Sequence, residues 1–393
     1  MDADAPLGLD LSLVRGDLPF RIQRRMGLIP EAGLGLIRRA IFFALVSWLP
    51  LALWAVLQGR ALPGDIAEPL LQHFGIHIRF LVAVPLFILG EATLHKQMVR
   101  LIPYFATSGL VRPQQLDQLR EIIRGMIRLR DKSTPWLIIA VIVAAQALFE
   151  QPSMITHELV WADAAATGAF DPGFAGWWFH FISRPLFSVL LAGWLWRLVL
   201  LIILLKRVAG LDLALVPTHP DKAGGLGFLE KLPIAFSLFA FSVSAVVASR
   251  LAHEVVYHAA HVVDLKGVLV ALVVFLTGLC LSPLFVFAGP LFAAKRQALL
   301  DYGTLVGDHG RLVRRRWIEA KALEDDKVLN APELGPVADT QTLYQAVANM
   351  RAAPIGKSAI LAIVVPALLP VLGLLSIEVP IKDVLKQLLG ILA

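Results

Sequence analysis

The sequence predicts an all-α protein, a polytopic helix bundle of about seven membrane-spanning helices with its N-terminus in the cytoplasm and amphipathic helices on the cytoplasmic side. Two observations carry this. Hydrophobic residues make up 57% of the 393-residue chain and charged residues 17%, with a mean hydropathy of +0.71, well outside the usage of soluble domains. The apolar residues also gather into seven runs approaching the length of about 20 residues needed to cross about 30 Å of hydrocarbon.

The runs cover 40–58, 79–93, 135–149, 185–205, 233–249, 268–294 and 358–377. They divide the chain into a cytoplasmic N-terminal segment (1–39), a transmembrane bundle (40–377) with helical insertions at 96–134 and 295–357, and a C-terminal interfacial segment (378–393). The runs at 79–93 and 135–149 are short, and each is long enough only for a marginal span or a re-entrant segment. Loop charge favours crossing. With all seven runs spanning and the N-terminus inside, 28 of the 36 Lys and Arg residues fall on the inner side and six on the outer, and a failed crossing would destroy that asymmetry.

The N-terminal segment carries Arg15, Arg21, Arg24, Arg25, Arg38 and Arg39 and lacks the apolar core of a cleaved signal, so the first span is expected to direct its own insertion. Cys280 is the single cysteine, which excludes a disulfide within one chain. Most tryptophans, among them Trp136, Trp161 and Trp194, lie in or beside the runs and are expected at headgroup level, and Trp177 to Ile182 is expected along the outer surface. In the fifth span Ala235, Ser242, Ala245 and Ser249 make a small-residue face for close packing.

Between Arg112 and Lys132, apolar Leu116, Leu119, Ile123, Met126 and Ile127 recur at helical spacing, and Arg120, Arg124 and Arg128 fall on one line. This basic amphipathic helix either packs on its own bundle or meets anionic lipid or an acidic protein. The excess of six positive charges follows from retaining basic loops inside, and nucleic acid is not an expected partner.

The most legible loop reads His219-Pro220-Asp221-Lys222-Ala223-Gly224-Gly225-Leu226-Gly227-Phe228-Leu229. Its first four residues match the J-domain tetrapeptide, but the basic soluble helix that precedes that motif is missing here. The glycines suit a tight turn, or alternatively a nest of N–H groups for an anion; the P-loop spacing is not met. The whole string resembles a segment of an uncharacterised family of bacterial multi-pass inner-membrane proteins. The likeness extends to Arg79-Phe80-Leu81-Val82-Ala83-Val84-Pro85-Leu86 with Glu91 after it, to Tyr302-Gly303, and to Ala338-Asp339-Thr340-Gln341. The resemblance implies a bacterial inner-membrane address and brings no activity or catalytic residue with it.

Candidate functional residues fall into two groups. Glu91, His95 and Arg197 are ionisable groups inside spans, costly enough there to mark a site, and Glu91 and Arg197 come at similar depth. Seven of the ten histidines fall on the predicted outer side, namely His73, His77, His157, His180, His253, His258 and His261. His73 and His77 are i, i+4; Glu254, His258 and His261 are i, i+4, i+7, and such sets on a helix face suit zinc or copper, or a proton relay. The metalloprotease spacing is not met, and no nucleophile stands with a base and orienter in recognisable order. The sequence therefore leaves a transporter or channel for a small solute, ion or proton, or a membrane scaffold or signalling protein acting through its basic helices.

Overall fold

The computed structural model describes residues 9–31, 33–63, 68–149, 160–162, 172–258, 260–319 and 337–378. The chain is all-helical, with no strand among the described residues. Seven helices are long and apolar enough to cross a membrane, so the chain is a multi-pass membrane protein. The helices are α1 (Leu18–Arg25), α2 (Leu36–Leu57), α3 (Phe74–Thr107), α4 (Leu116–Asp131), α5 (Thr134–Phe149), α6 (Gly173–Ala209), α7 (Gly227–Tyr257), α8 (Lys266–Val313), α9 (Val337–Ala348) and α10 (Lys357–Leu375). The seven are α2, α3, the stretch Pro113–Phe149 that takes in α4 and α5, α6, α7, α8 and α10. His157 and all of the C-terminal segment beyond Glu378 lie outside the described residues.

The second span corrects the sequence reading. It is 34 residues long, about 50 Å of helix, because the chain keeps its hydrogen bonding through the polar stretch from His95 to Arg100 where hydropathy falls. The segment Trp177 to Ile182 is likewise no separate surface stretch but part of α6, which widens into a π-turn at Phe179–Ser183. Local breaks have local causes. Pro283 sits in the 3₁₀ turn Ser282–Phe287 that interrupts α8, and Gly35, at φ +59°, turns the chain into α2 where a Cβ would stand 2.6 Å from the Leu28 carbonyl.

Loops gather at two ends. One end, here the basic end, holds the N-terminal segment, α4, the loop 210–226 and the residues before α10. The backbone ties these together, with Ala214 N–H donating to Leu110 O (2.8 Å) and Arg351 N–H to Lys222 O (2.7 Å). The other, the histidine end, holds Glu68, His73, Trp161, His253 and Glu378.

The N-terminal segment folds back into the basic end instead of lying outside it. Leu9, Leu11, Leu13 and Val14 are almost wholly buried among α3, α4 and α6. Arg130 donates to Ser12 O (2.5 Å) and Arg21 to Asp131 O (2.9 Å), so α4 clasps the segment. Helix α4 itself buries Leu119, Ile123 and Met126 and thus packs on its own bundle. α7 packs against α10, where Ser244 Oγ–H donates to Ala367 O (2.6 Å) beside Ala245 and Ala248. Helix α5, by contrast, exposes Leu137, Ile138, Val141 and Ile142, a lipid-facing surface. The C-terminal half of α8 pairs with α9, where the Tyr344 ring lies 3.7 Å from the Cβ position of Gly303 and Thr340 is fully buried.

Candidate functional site

Four charges meet inside the basic end. Glu91, on α3, accepts from Arg39 Nη1 of α2 (2.6 Å) and from Arg197 Nη2 of α6 (2.8 Å), and Arg197 Nη2 also reaches Asp17 Oδ2 (3.1 Å). All four side chains are at most 5% exposed. Arg39 Nε donates to the buried Gln23 of α1, and its Nη1 lies 3.3 Å from the Leu34 carbonyl. With both carboxylates ionised the four charges sum to zero, which is how a low-dielectric interior tolerates them.

Each group is placed by an ordinary local device. Asp17 N-caps α1, its Oδ1 accepting the Phe20 N–H (2.9 Å), which leaves Oδ2 for Arg197. Burial pushes the Asp17 carboxyl above its usual range, although Arg197 beside it draws it down. Trp194, one turn before Arg197, gives its N–H to Phe87 O (3.0 Å) and carries the guanidinium 5.8 Å from its ring centroid. That role corrects the expectation of a headgroup anchor, as do the full burial of Trp161 and the near burial of Trp136. His95 stands apart from the cluster, its Nδ1 2.9 Å from Ser12 Oγ. Sequence reasoning paired Glu91 with Arg197 and missed Arg39, which reads as one more inside-retention charge before the first span, and Asp17.

Beside the cluster a groove of about 330 Å³ opens between α1, α2, α5 and α6. Met26, Phe43, Trp136, Leu186 and Leu190 make its walls, and Glu91 and Arg197 lie at its polar end. Two buried donors on these lining residues, Trp136 Nε1 and Arg197 Nε, have no hydrogen-bond partner among the described residues. Gly193 lets the Trp136 ring come close against α6, since a Cβ there would meet the ring at 2.9 Å.

The glycine-rich loop is a nest that holds its own anion. Asp221 Oδ1 accepts from the N–H groups of Ala223 (2.8 Å) and Gly225 (3.2 Å), and Oδ2 from Gly227 (2.7 Å). Of the two readings the tight turn is the one that fits, and the alternative of an external anion does not, because the donors are already spent on Asp221. Burial raises the Asp221 carboxyl, but those three N–H bonds, with His219 Nδ1 at 2.9 Å, outweigh it and hold the group below its ordinary range. Lys222, Gly224 and Gly225 take positive φ, and a Cβ on Gly227 would lie 2.7 Å from that of Asp221. Pro220 precedes the carboxylate at the turn. Arg351 locks the loop by donating to Asp221 O (2.6 Å) and pairing with Glu230 (2.5 Å).

At the basic surface, Arg124, Arg128 and Arg207 line an open groove of about 810 Å³, and Arg120 pairs with Asp117 (2.7 Å).

At the histidine end the expected face of Glu254, His258 and His261 does not form, since α7 ends at Tyr257 and His258 is its C-cap. His261 is 78% exposed and lies 3.6 Å from Glu378. His77 is also withdrawn, with Trp48 Nε1 donating to its Nδ1 (2.9 Å) and Leu70 O at 3.0 Å from its Nε2. What converges instead is Glu68, His73 and His253. His73 and Glu91 are about 27 Å apart along α3, and Phe80, Phe87 and Phe179 fill the levels between, so the two sites are separate. Searches of protein-family models, curated proteins and solved structures find no match to this chain.

Proposed function

We propose that this is a protein of a bacterial inner membrane, N-terminus and basic end in the cytoplasm, that takes a bilayer amphiphile into the side of its bundle and seats the polar head beside Glu91 and Arg197. The observation that carries this reading is the pair of buried, unpartnered donors, Trp136 Nε1 and Arg197 Nε, on an otherwise apolar groove. A buried donor left unsatisfied costs about 1–3 kcal/mol, and a ligand oxygen that reaches either atom, which takes a side-chain shift because both are closed to solvent, removes that cost. Because the cluster is neutral, the head is an ester carbonyl or hydroxyl in preference to a free phosphate. From Pro185 to Arg197 the groove runs about 18 Å along α6, rather more than half the hydrocarbon thickness, which suits a tail lying along the bundle.

Transport of such an amphiphile is compatible with this geometry; conduction of a small ion along the bundle axis is disfavoured by the aromatic levels below the cluster. The bacterial address rests on the family resemblance and the orientation on loop charge. Arg124, Arg128 and Arg207 supply a second, peripheral contact for anionic lipid on the cytoplasmic side.

The test is the amphiphile that stays with the purified chain. Detergent-purified protein, extracted with organic solvent and analysed by mass spectrometry, should yield close to one enriched species per chain. Val189→Trp, which fills the groove away from the charges, should lose it while helicity and thermal stability stay the same. Equal retention by both proteins, or a profile matching bulk membrane lipid, would overturn the proposal.

A further inference from the structure

We propose that Glu68, His73 and His253 form a three-ligand centre for a divalent transition metal of the zinc class, with a fourth position open to a small anion or water. This site is independent of the groove and lies at the opposite end of the bundle. Glu68 precedes the second span, His73 caps its first turn, and His253 stands in the last turns of α7, so the two spans and the loop before them converge here.

The donor atoms are already nearly spaced for coordination. Glu68 Oε2 lies 3.2 Å from His253 Nε2 and 3.8 Å from His73 Nε2, and the three ligand atoms fall within 4.8 Å of one another. A tetrahedral ion with bonds of about 2.0–2.2 Å sets its ligands about 3.4 Å apart. Closing the set needs the near-parallel rings of His73 and His253 to rotate about their side-chain bonds so that one nitrogen of each faces the ion.

Chemistry points the same way. Two imidazoles and one carboxylate are a borderline donor set suited to zinc, and three protein ligands leave one position open. The rings of His73 and His253 stack at 4.9 Å between centroids, and Nδ1 of His253 is buried with no hydrogen-bond partner among the described residues. Beside the triad is a cavity of about 60 Å³, room for one or two waters, lined by Arg79, Arg250, Glu254 and His258. The two arginines favour a negatively charged fourth ligand such as hydroxide or another small oxygen anion. The alternative is a Glu68–His253 hydrogen bond that only fastens the loop before the second span to α7.

The experiment measures metal on the full chain, purified without a histidine tag, stripped with chelator and dialysed against zinc. Elemental analysis should find about one zinc per chain. His73→Ala and Glu68→Gln should each weaken zinc affinity at least tenfold, since loss of even an outer-shell partner of a ligand typically costs about 10–100-fold. His261→Ala, outside the triad, should keep it. Cobalt provides a second readout, since four-coordinate binding gives intense visible absorption that the Glu68→Gln protein should lack even if the alanine variant fails to fold. Folded wild-type protein that takes up no zinc, or variants that bind it as well as wild type, would overturn the proposal and leave the hydrogen-bonded fastening.

Discussion

Removing Glu91 should be among the most damaging single changes in this protein, and the structure says which second change repairs it. Glu91→Gln leaves Arg39, Arg197 and Asp17 buried, moving the cluster from neutral to one net positive charge. Breaking a buried pair in this way costs about 3–5 kcal/mol. The two arginines are not equivalent afterwards. Arg197 keeps Asp17 at 3.1 Å, whereas Arg39 is left with neutral partners, the Gln23 amide and the Leu34 carbonyl. Arg39 is thus the stranded cation, and Glu91→Gln with Arg39→Met should regain more than half the loss, a coupling of about 2–3 kcal/mol. Glu91→Gln with Arg197→Met should regain less, because it strands Asp17 as well. The measurement is a double-mutant cycle of unfolding in mixed micelles by dodecyl sulfate titration, followed by far-ultraviolet circular dichroism. Losses additive to within about 0.5 kcal/mol, or better rescue by Arg197→Met, would refute the reasoning.

Asp221→Asn must turn an amide N–H toward at least one of the three backbone donors, a loss of about 1–3 kcal/mol at neutral pH. Because the folded Asp221 carboxyl is held below its ordinary value, the wild-type advantage is present above a pH of about 4 and fades as the pH falls through the folded value; a gap that stays constant on acidification would count against it. Gly227→Ala should open the same loop by collision with Asp221, read as faster proteolysis between 219 and 229, and unchanged cleavage would contradict the clash. For orientation, a membrane-impermeant maleimide should reach Val263→Cys from outside intact cells and Gln118→Cys only after permeabilisation, since the native Cys280 is buried; the reverse pattern would invert the bundle.

The seven spans are legible in sequence because hydropathy sums over some 20 residues and tolerates local error. Where a helix stops is decided by single hydrogen bonds, and there the reading fails in both directions. Helix α3 runs on through polar residues to Thr107, while α7 ends at Tyr257 and disperses the histidines whose spacing assumed it continued. His253, set aside on spacing, meets Glu68, a loop residue that no periodicity could have brought into the set. The depth of Glu91 and Arg197 was readable from their places in the runs. Asp17 carried a signal of its own, an acidic residue two positions before Pro19 at a helix start. Nothing local showed that the same carboxylate would turn inward.

That double use of Asp17 joins the charge cluster to the groove. One carboxylate oxygen starts α1 and the other holds Arg197, so the docking of the N-terminal segment and the neutrality of the cluster depend on the same side chain. Helix α1 with its C-cap in turn supplies the Pro19, Ile22 and Met26 wall of the groove, and Gln23 between them accepts from Arg39. An acceptor brought to Arg197 Nε would therefore meet a guanidinium whose other side holds α1, a wall of the groove. Displacing Arg197 by a fraction of the 3.1 Å contact weakens the hold on α1, while leaving Arg197 fixed keeps that wall in place. The groove and the buried charges are for this reason one mechanical unit, and the stability cost of the cluster is bound up with the shape of the groove beside it.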